Sequence, residues 1–141
     1  MIILAVDLGK ARTGLAVCDR SEILASPAGV IKQYDRTKLC ERVCEAAAER
    51  HAEHIVVGLP RNMDGSEGES AAAAREFADM LRERCGLPVV MSDERGTTIT
   101  AHRYLNDTDT RGKKRKAVVD SVAATIILED YLQYRRNHPG E

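Results

Sequence analysis

The chain has 141 residues, 43% of them hydrophobic and 30% charged, with a formal net charge of -1. That length suits one domain around a single core, and that balance excludes a disordered or fibrous chain. A near-neutral charge confines any nucleic-acid surface to a local patch, and a single phenylalanine, four tyrosines and no tryptophan argue against an aromatic base-stacking platform.

In chain order, Ile2 to Val6 is a β-branched and aliphatic run without polar alternation, which predicts a strand buried on both faces. Asp7 closes it. Gly9 and Gly14 bracket the polar turn Lys10-Ala11-Arg12-Thr13, so the next apolar run folds back as a hairpin partner. Ile23 to Ile31 is a third strand, and Pro27 within it favours an edge or bulged position. Asp35 caps a helix to about Arg50, with Leu39, Val43, Ala46 and Ala47 on one face. Ile55 to Gly58 is a short apolar strand that returns parallel to the first.

Leu59 to Glu69 is rich in turn formers. Ser66 with Glu69 offers a capping box for a helix from about Ala71 to Cys85, and Ser70 is a competing cap. Gly86 and Pro88 end that helix, and Pro88 to Met91 forms the last strand. A short helix from Thr97 or Thr98 to Leu105 follows, then an exposed connector, Asn106 to Lys116. The final helix runs from Ala117 to about Arg136. The expected order is βββαβαβαα: an α/β domain over residues 1–138 with a mixed sheet, and a frayed tail at 139–141.

The strand-like residues begin at Ile2 without a basic leader, and no apolar run nears the roughly 20 residues of a membrane span. A cytoplasmic protein with no membrane partner is expected. Cys18, Cys40, Cys44 and Cys85 fall in regular elements, so reduced thiols are expected. Cys40 and Cys44, followed by His51 and His54, lack a paired C-x-x-C knuckle, which favours small buried thiols over zinc.

Three carboxylates interrupt apolar or small-residue contexts. Asp7 ends the first strand. Glu94 lies three residues beyond Met91; if that strand runs parallel to the first, both acids reach the carboxyl edge of the sheet, where open α/β sheets bind ligands. Asp120 shares a helical face with Ala123, Ala124 and Ile127, a small apolar face that should pack on the sheet. Oxygen ligands without nearby Cys or His point to Mg²⁺ or Mn²⁺, and such ions assist phosphodiester cleavage. The bland alternative is ion pairing with Arg12, Arg95 or Arg103.

The segments DLGKARTGLA (Asp7 to Ala16), VVGLPRNMDGSEG (Val56 to Gly68), DERGTT (Asp93 to Thr98) and DSVAATIILEDYL (Asp120 to Leu132) resemble the YqgF-type family. Its members are described as pre-16S rRNA nucleases and Holliday-junction-resolvase-like proteins. The resemblance spans nearly the whole chain in the right order. It implies an RNase H-like fold with a mixed five-stranded sheet flanked by helices, and it implies that Asp7, Glu94 and Asp120 are the metal-binding catalytic carboxylates. Gly96 departs from the family, which usually has a larger apolar residue there. Asp93 is either a fourth acidic ligand or a cap.

Arg111, Lys113, Lys114, Arg115 and Lys116 precede the helix carrying Asp120, and such a cluster neutralises backbone phosphates. A solvated linker is the plainer reading. Arg12, Arg61 and Arg95 are further substrate-binding candidates. The expected activity is metal-dependent nuclease action on precursor 16S rRNA, with a ribosomal particle as a possible partner. The alternatives are junction DNA, a sugar-kinase-type phosphotransferase disfavoured by length, and a non-catalytic RNA-binding assembly factor. A monomer and a homodimer both remain open, junction cleavage favouring the symmetric dimer.

Overall fold

Ile3–Asp7 forms β1, and all five residues are buried, as the apolar run demands. The computed structural model describes residues 1–61, 64–93 and 113–139, with the backbone alone for 113–121. Arg12–Cys18 (β2) pairs antiparallel with β1, and Ala25–Lys32 (β3) pairs antiparallel with β2. Arg36–Glu49 is α1, His54–Leu59 is β4, Glu69–Cys85 is α2 and Val89–Asp93 is β5. Lys113–Asn137 is the last described helix, α3. The sheet order is β3-β2-β1-β4-β5, with β4 parallel to both β1 and β5. The expected mixed five-stranded sheet is therefore present. β3 lies at an edge, where Pro27 is tolerated, and its register against β2 shifts between Leu15 and Ala16.

Strand alternation divides the core in two. Leu4 and Val6 of β1 point toward α1 and α2, where Leu39, Val43, Phe77 and Leu81 are buried with them. Ile3 and Ala5 point the other way and pack against Ala123, Ala124, Ile127, Leu128 and Leu132 of α3. The sheet is thus sandwiched between two helical layers. The small pair Ala123-Ala124 allows α3 to lie close to the central strands. At its far end, the Tyr131 hydroxyl meets His54 Nε2 at 3.1 Å. Arg135 pairs with Glu22 in the turn before β3.

Asp35 caps α1 as expected, accepting from the Lys38 N–H at 3.0 Å. Other expectations need correction. The cap of α2 is Gly68, without a side-chain hydrogen bond, and the helix starts at Glu69. Ser66 is occupied elsewhere: its N–H and hydroxyl both donate to Asp64 Oδ1, at 2.9 and 2.6 Å, closing a local Asx turn. α3 begins at Lys113, so the basic residues from Lys113 to Lys116 are helical and not part of a connector. Lysine and arginine are good helix formers, which accounts for the earlier start. The expected helix over 97–105 and the rest of the connector lie outside the described residues.

The thiols also depart from expectation. Cys44 and Cys85 form a disulfide with their Cα atoms 5.3 Å apart, while Cys18 and Cys40 are free and buried. The bridge joins neighbouring helices α1 and α2 across 41 residues of sequence, a proximity created only by the crossover. Among the described residues no helix is long and apolar enough to cross a membrane.

The hairpin between β1 and β2 depends on Gly9, because a Cβ there would overlap the Arg12 carbonyl oxygen. Arg36 Nη1 donates to the Gly9 carbonyl at 2.9 Å and ties this turn to α1. Gly9→Ala is expected to destabilise the fold by roughly 1–3 kcal/mol in urea unfolding. Reducing the Cys44–Cys85 bridge should lower the unfolding free energy by about 2–4 kcal/mol. An unchanged urea midpoint in dithiothreitol contradicts that expectation.

Candidate functional site at the carboxyl edge

The parallel pairing of β1, β4 and β5 brings their carboxyl ends to one edge of the sheet. Asp7 ends β1 there and is 7% exposed. It faces Gly14 across β2. On the other side, one step beyond the Val6–Val57 pair, stands Gly58 of β4. Neither neighbour carries a side chain.

Alternation puts Asp7 on the same sheet face as Ile3 and Ala5, the face covered by α3. α3 runs against β1: Tyr131, near its C-terminal end, contacts His54, which pairs with Ile3 at the start of β1. From Tyr131 back to Asp120 the helix rises about 16 Å, and from Ile3 to Asp7 the strand rises about 13 Å. The helix is thus long enough for Asp120 to reach the level of the edge that carries Asp7. β5 ends at Asp93, paired with Leu59 and immediately before Glu94. Glu94, Arg95, Arg111 and Asn62 lie outside the described residues, and for Asp120, Lys113, Lys114, Arg115 and Lys116 the backbone alone is described.

The oxygen chemistry of Asp7, with glycines on both sides, suits a hard cation such as Mg²⁺ or Mn²⁺. Among the described residues no three Asp, Glu, His or Cys side chains cluster as a complete metal cage.

Arg61 follows β4 at the same edge and bridges two carboxylates. Its Nη1 is 3.5 Å from Asp93 Oδ2 and its Nη2 is 3.4 Å from Glu67 Oε2. Glu67 is held in turn by Arg75 of α2, whose Nε and Nη2 donate at 2.7 and 2.8 Å. The network links α2 and the loop before it to the end of β5. Arg75 above all, then Arg61, holds the Glu67 carboxyl below its ordinary range. The Arg61 guanidinium is thus engaged by protein carboxylates. Sequence reasoning missed Glu67, whose part in the network depends on loop closure and not on local spacing.

Arg12, half-buried, starts β2 and pairs in register with Lys32, the exposed last residue of β3. Ala11, Arg12, Lys32, Gln33 and Tyr34 line a shallow cavity there. Neither Arg12 nor Lys32 makes an ion pair among the described residues. Lys32 was not among the expected binding residues, because its alignment with Arg12 depends on the bulged register of the hairpin.

Comparison with known proteins adds three findings. The family described as RuvX, Holliday junction resolvase, matches residues 1–134. A relative from Chloroflexus aurantiacus named "Putative pre-16S rRNA nuclease" is 38% identical over 139 residues, covering 99% of this chain and 91% of its own. One of the same name from Agathobacter rectalis is 40% identical over 140 residues, covering 97% and 98%. Among solved structures, Thermus thermophilus RuvC superposes with a TM-score of 0.59 at 15% identity, over 97% of both chains. The fowlpox virus Holliday junction resolvase gives 0.51 at 18% identity, over 95% and 99%. These last two show a shared fold.

The Glu67 network yields a pH expectation. A carboxylate whose folded-state value is depressed contributes its ion pairs above its unfolded value and loses them as pH falls through the folded one. Carbon-detected NMR titration should place the Glu67 midpoint below the ordinary 4.5, and Arg75→Ala should return it toward 4.5. A Glu67 midpoint at 4.5 in the unmodified protein contradicts the network.

Proposed function

The chain belongs to the RuvX family, described as Holliday junction resolvases, and we propose that it is a metal-dependent nuclease that processes the 5′ end of precursor 16S rRNA in the cytoplasm. The observation that carries this reading is a buried carboxylate, Asp7, placed between two glycines at the carboxyl edge of the sheet. The name shared by the curated relatives supports precursor rRNA as substrate. Junction DNA is the second reading, favoured by the family's description and by the fold shared with RuvC.

In this proposal Asp7, Glu94 and Asp120 hold one or two Mg²⁺ or Mn²⁺ ions. Such ions activate water and stabilise the leaving oxygen in phosphodiester cleavage. β1 fixes the Asp7 carboxylate through its pairing on both sides, so little reorganisation accompanies catalysis. Arg61, bridging Asp93 and Glu67, steadies the end of β5 just before Glu94. Arg12, Arg95, Arg111, Lys113, Lys114, Arg115 and Lys116 neutralise substrate phosphates, which makes binding weaken steeply with salt. A ribosomal particle presenting the precursor is the natural macromolecular partner for this chemistry.

The test is Mg²⁺- and Mn²⁺-dependent cleavage of a precursor small-subunit rRNA leader beside a four-way DNA junction. Asp7→Asn, Glu94→Gln and Asp120→Asn should each lower the RNA cleavage rate by about 100-fold or more, since the loss of metal support costs several kcal/mol at the transition state. Cleavage of the junction alone, with the same pattern among the variants, replaces the substrate and keeps the site. Full activity in Asp7→Asn removes the proposal.

A further inference from the structure

Beyond the phosphate contacts, the carboxyl edge carries a feature that general phosphodiester chemistry does not require. Tyr34, in the connection between β3 and α1, is 79% exposed. Its ring stacks on no other aromatic side chain among the described residues. Tyr34 lines the same shallow cavity as Arg12 and Lys32. The nearest carboxylate in sequence, Asp35, is turned to the Lys38 N–H as the cap of α1. The first turn of α1 carries no acidic residue, and exposed Lys38 and half-buried Arg36 stand there. The local charge is therefore basic although the whole chain carries a net charge of -1.

Position ties this patch to the proposed reaction centre. Lys32 sits two strands across from Asp7, about 10 Å away in the sheet, and about 7 Å further along the strand direction. Tyr34 follows two residues later. A polynucleotide strand held at Asp7 and leaving over β2 and β3 passes Arg12 and Lys32 before it reaches the Tyr34 ring.

We propose that Tyr34, Arg12 and Lys32 form a subsite for an unpaired nucleotide flanking the scissile phosphate, with the base stacked on the Tyr34 ring and its phosphates on Arg12 and Lys32. The proposal rests on the nuclease reading above and narrows it to a strand that is single-stranded on this side of the cut. An aromatic face accepts any base, because every base presents a π-face, while the two cations track the backbone. A base in a paired duplex is already stacked on its neighbours and cannot occupy such a platform. One phenylalanine, four tyrosines and no tryptophan are too few for an extended tract of rings but leave room for a single one.

The experiment measures affinity without catalysis. Fluorescence anisotropy in EDTA compares a single-stranded RNA from the precursor leader with a blunt RNA duplex of equal length, using the full chain. Tyr34→Ala should weaken single-strand binding about fivefold or more and leave duplex binding unchanged, while Tyr34→Phe, which keeps the ring, stays near the unmodified protein. Lys32→Gln should weaken both ligands and flatten the salt dependence. A 2-aminopurine placed in the leader should lose fluorescence on binding, and Tyr34→Ala should restore it. Because Tyr34 is exposed, unchanged melting temperatures check that the variants fold. Equal affinity of Tyr34→Ala for the single strand overturns the subsite, as does an equal loss on both ligands. Failure of the nuclease reading is seen separately, as absence of Mn²⁺-dependent cleavage in the unmodified protein.

Discussion

A carboxylate held in the interior of a sheet is the constraint on which the rest of this structure depends. Desolvating a charge is costly, so a chain that keeps aspartate at the end of its central strand must compensate it. Asp7 has β2 on one side and β4 on the other, and the positions facing it in both strands are glycines. The burial of Ile3, Leu4, Ala5 and Val6 fixes the strand that presents it.

The surrounding elements follow from that placement. α3 carries small residues where it crosses the central strands and is anchored at its far end by Tyr131 on His54 and by Arg135 on Glu22. Those anchors set its direction, which points the start of the helix toward the edge occupied by Asp7. On the opposite face, Phe77 and Leu81 of α2 pack beneath β1 and β4, and the disulfide joins α2 to α1. The ion network from Arg75 through Glu67 and Arg61 to Asp93 carries the rigidity of α2 to the end of β5. Asp7 and Asp93 end parallel strands at this edge, whereas Arg12 and Lys32, which make no ion pair among the described residues, stand at the start of β2 and the end of β3. That division suits a polyanion whose reacting phosphate meets carboxylates while its flanks meet cations.

Much of this was legible in the sequence because it is written locally. Asp7 stands out where it ends an uninterrupted apolar run, Pro27 marks an edge strand, and Asp35 sits where a helix needs a cap. What escaped depends on contacts between distant segments. The partnership of Cys44 and Cys85 exists only after the crossover lays α1 beside α2. Ser66 looked like a cap but its hydroxyl is taken by Asp64, two residues away. Lys32 meets Arg12 only through a register shifted by the irregularity at Leu15 and Ala16. The four basic residues at the start of α3 read as a linker because their charge masks their helix propensity.

The most direct measurement is anomalous diffraction from crystals grown with Mn²⁺ and an uncleavable RNA strand. The account requires a manganese peak within about 2.0–2.3 Å of an Asp7 carboxylate oxygen, at the carboxyl edge between Gly14 and Gly58. The strand should run from that point over the ends of β2 and β3. Manganese bound elsewhere, with the Asp7 carboxylate remaining in protein contacts alone, would contradict it.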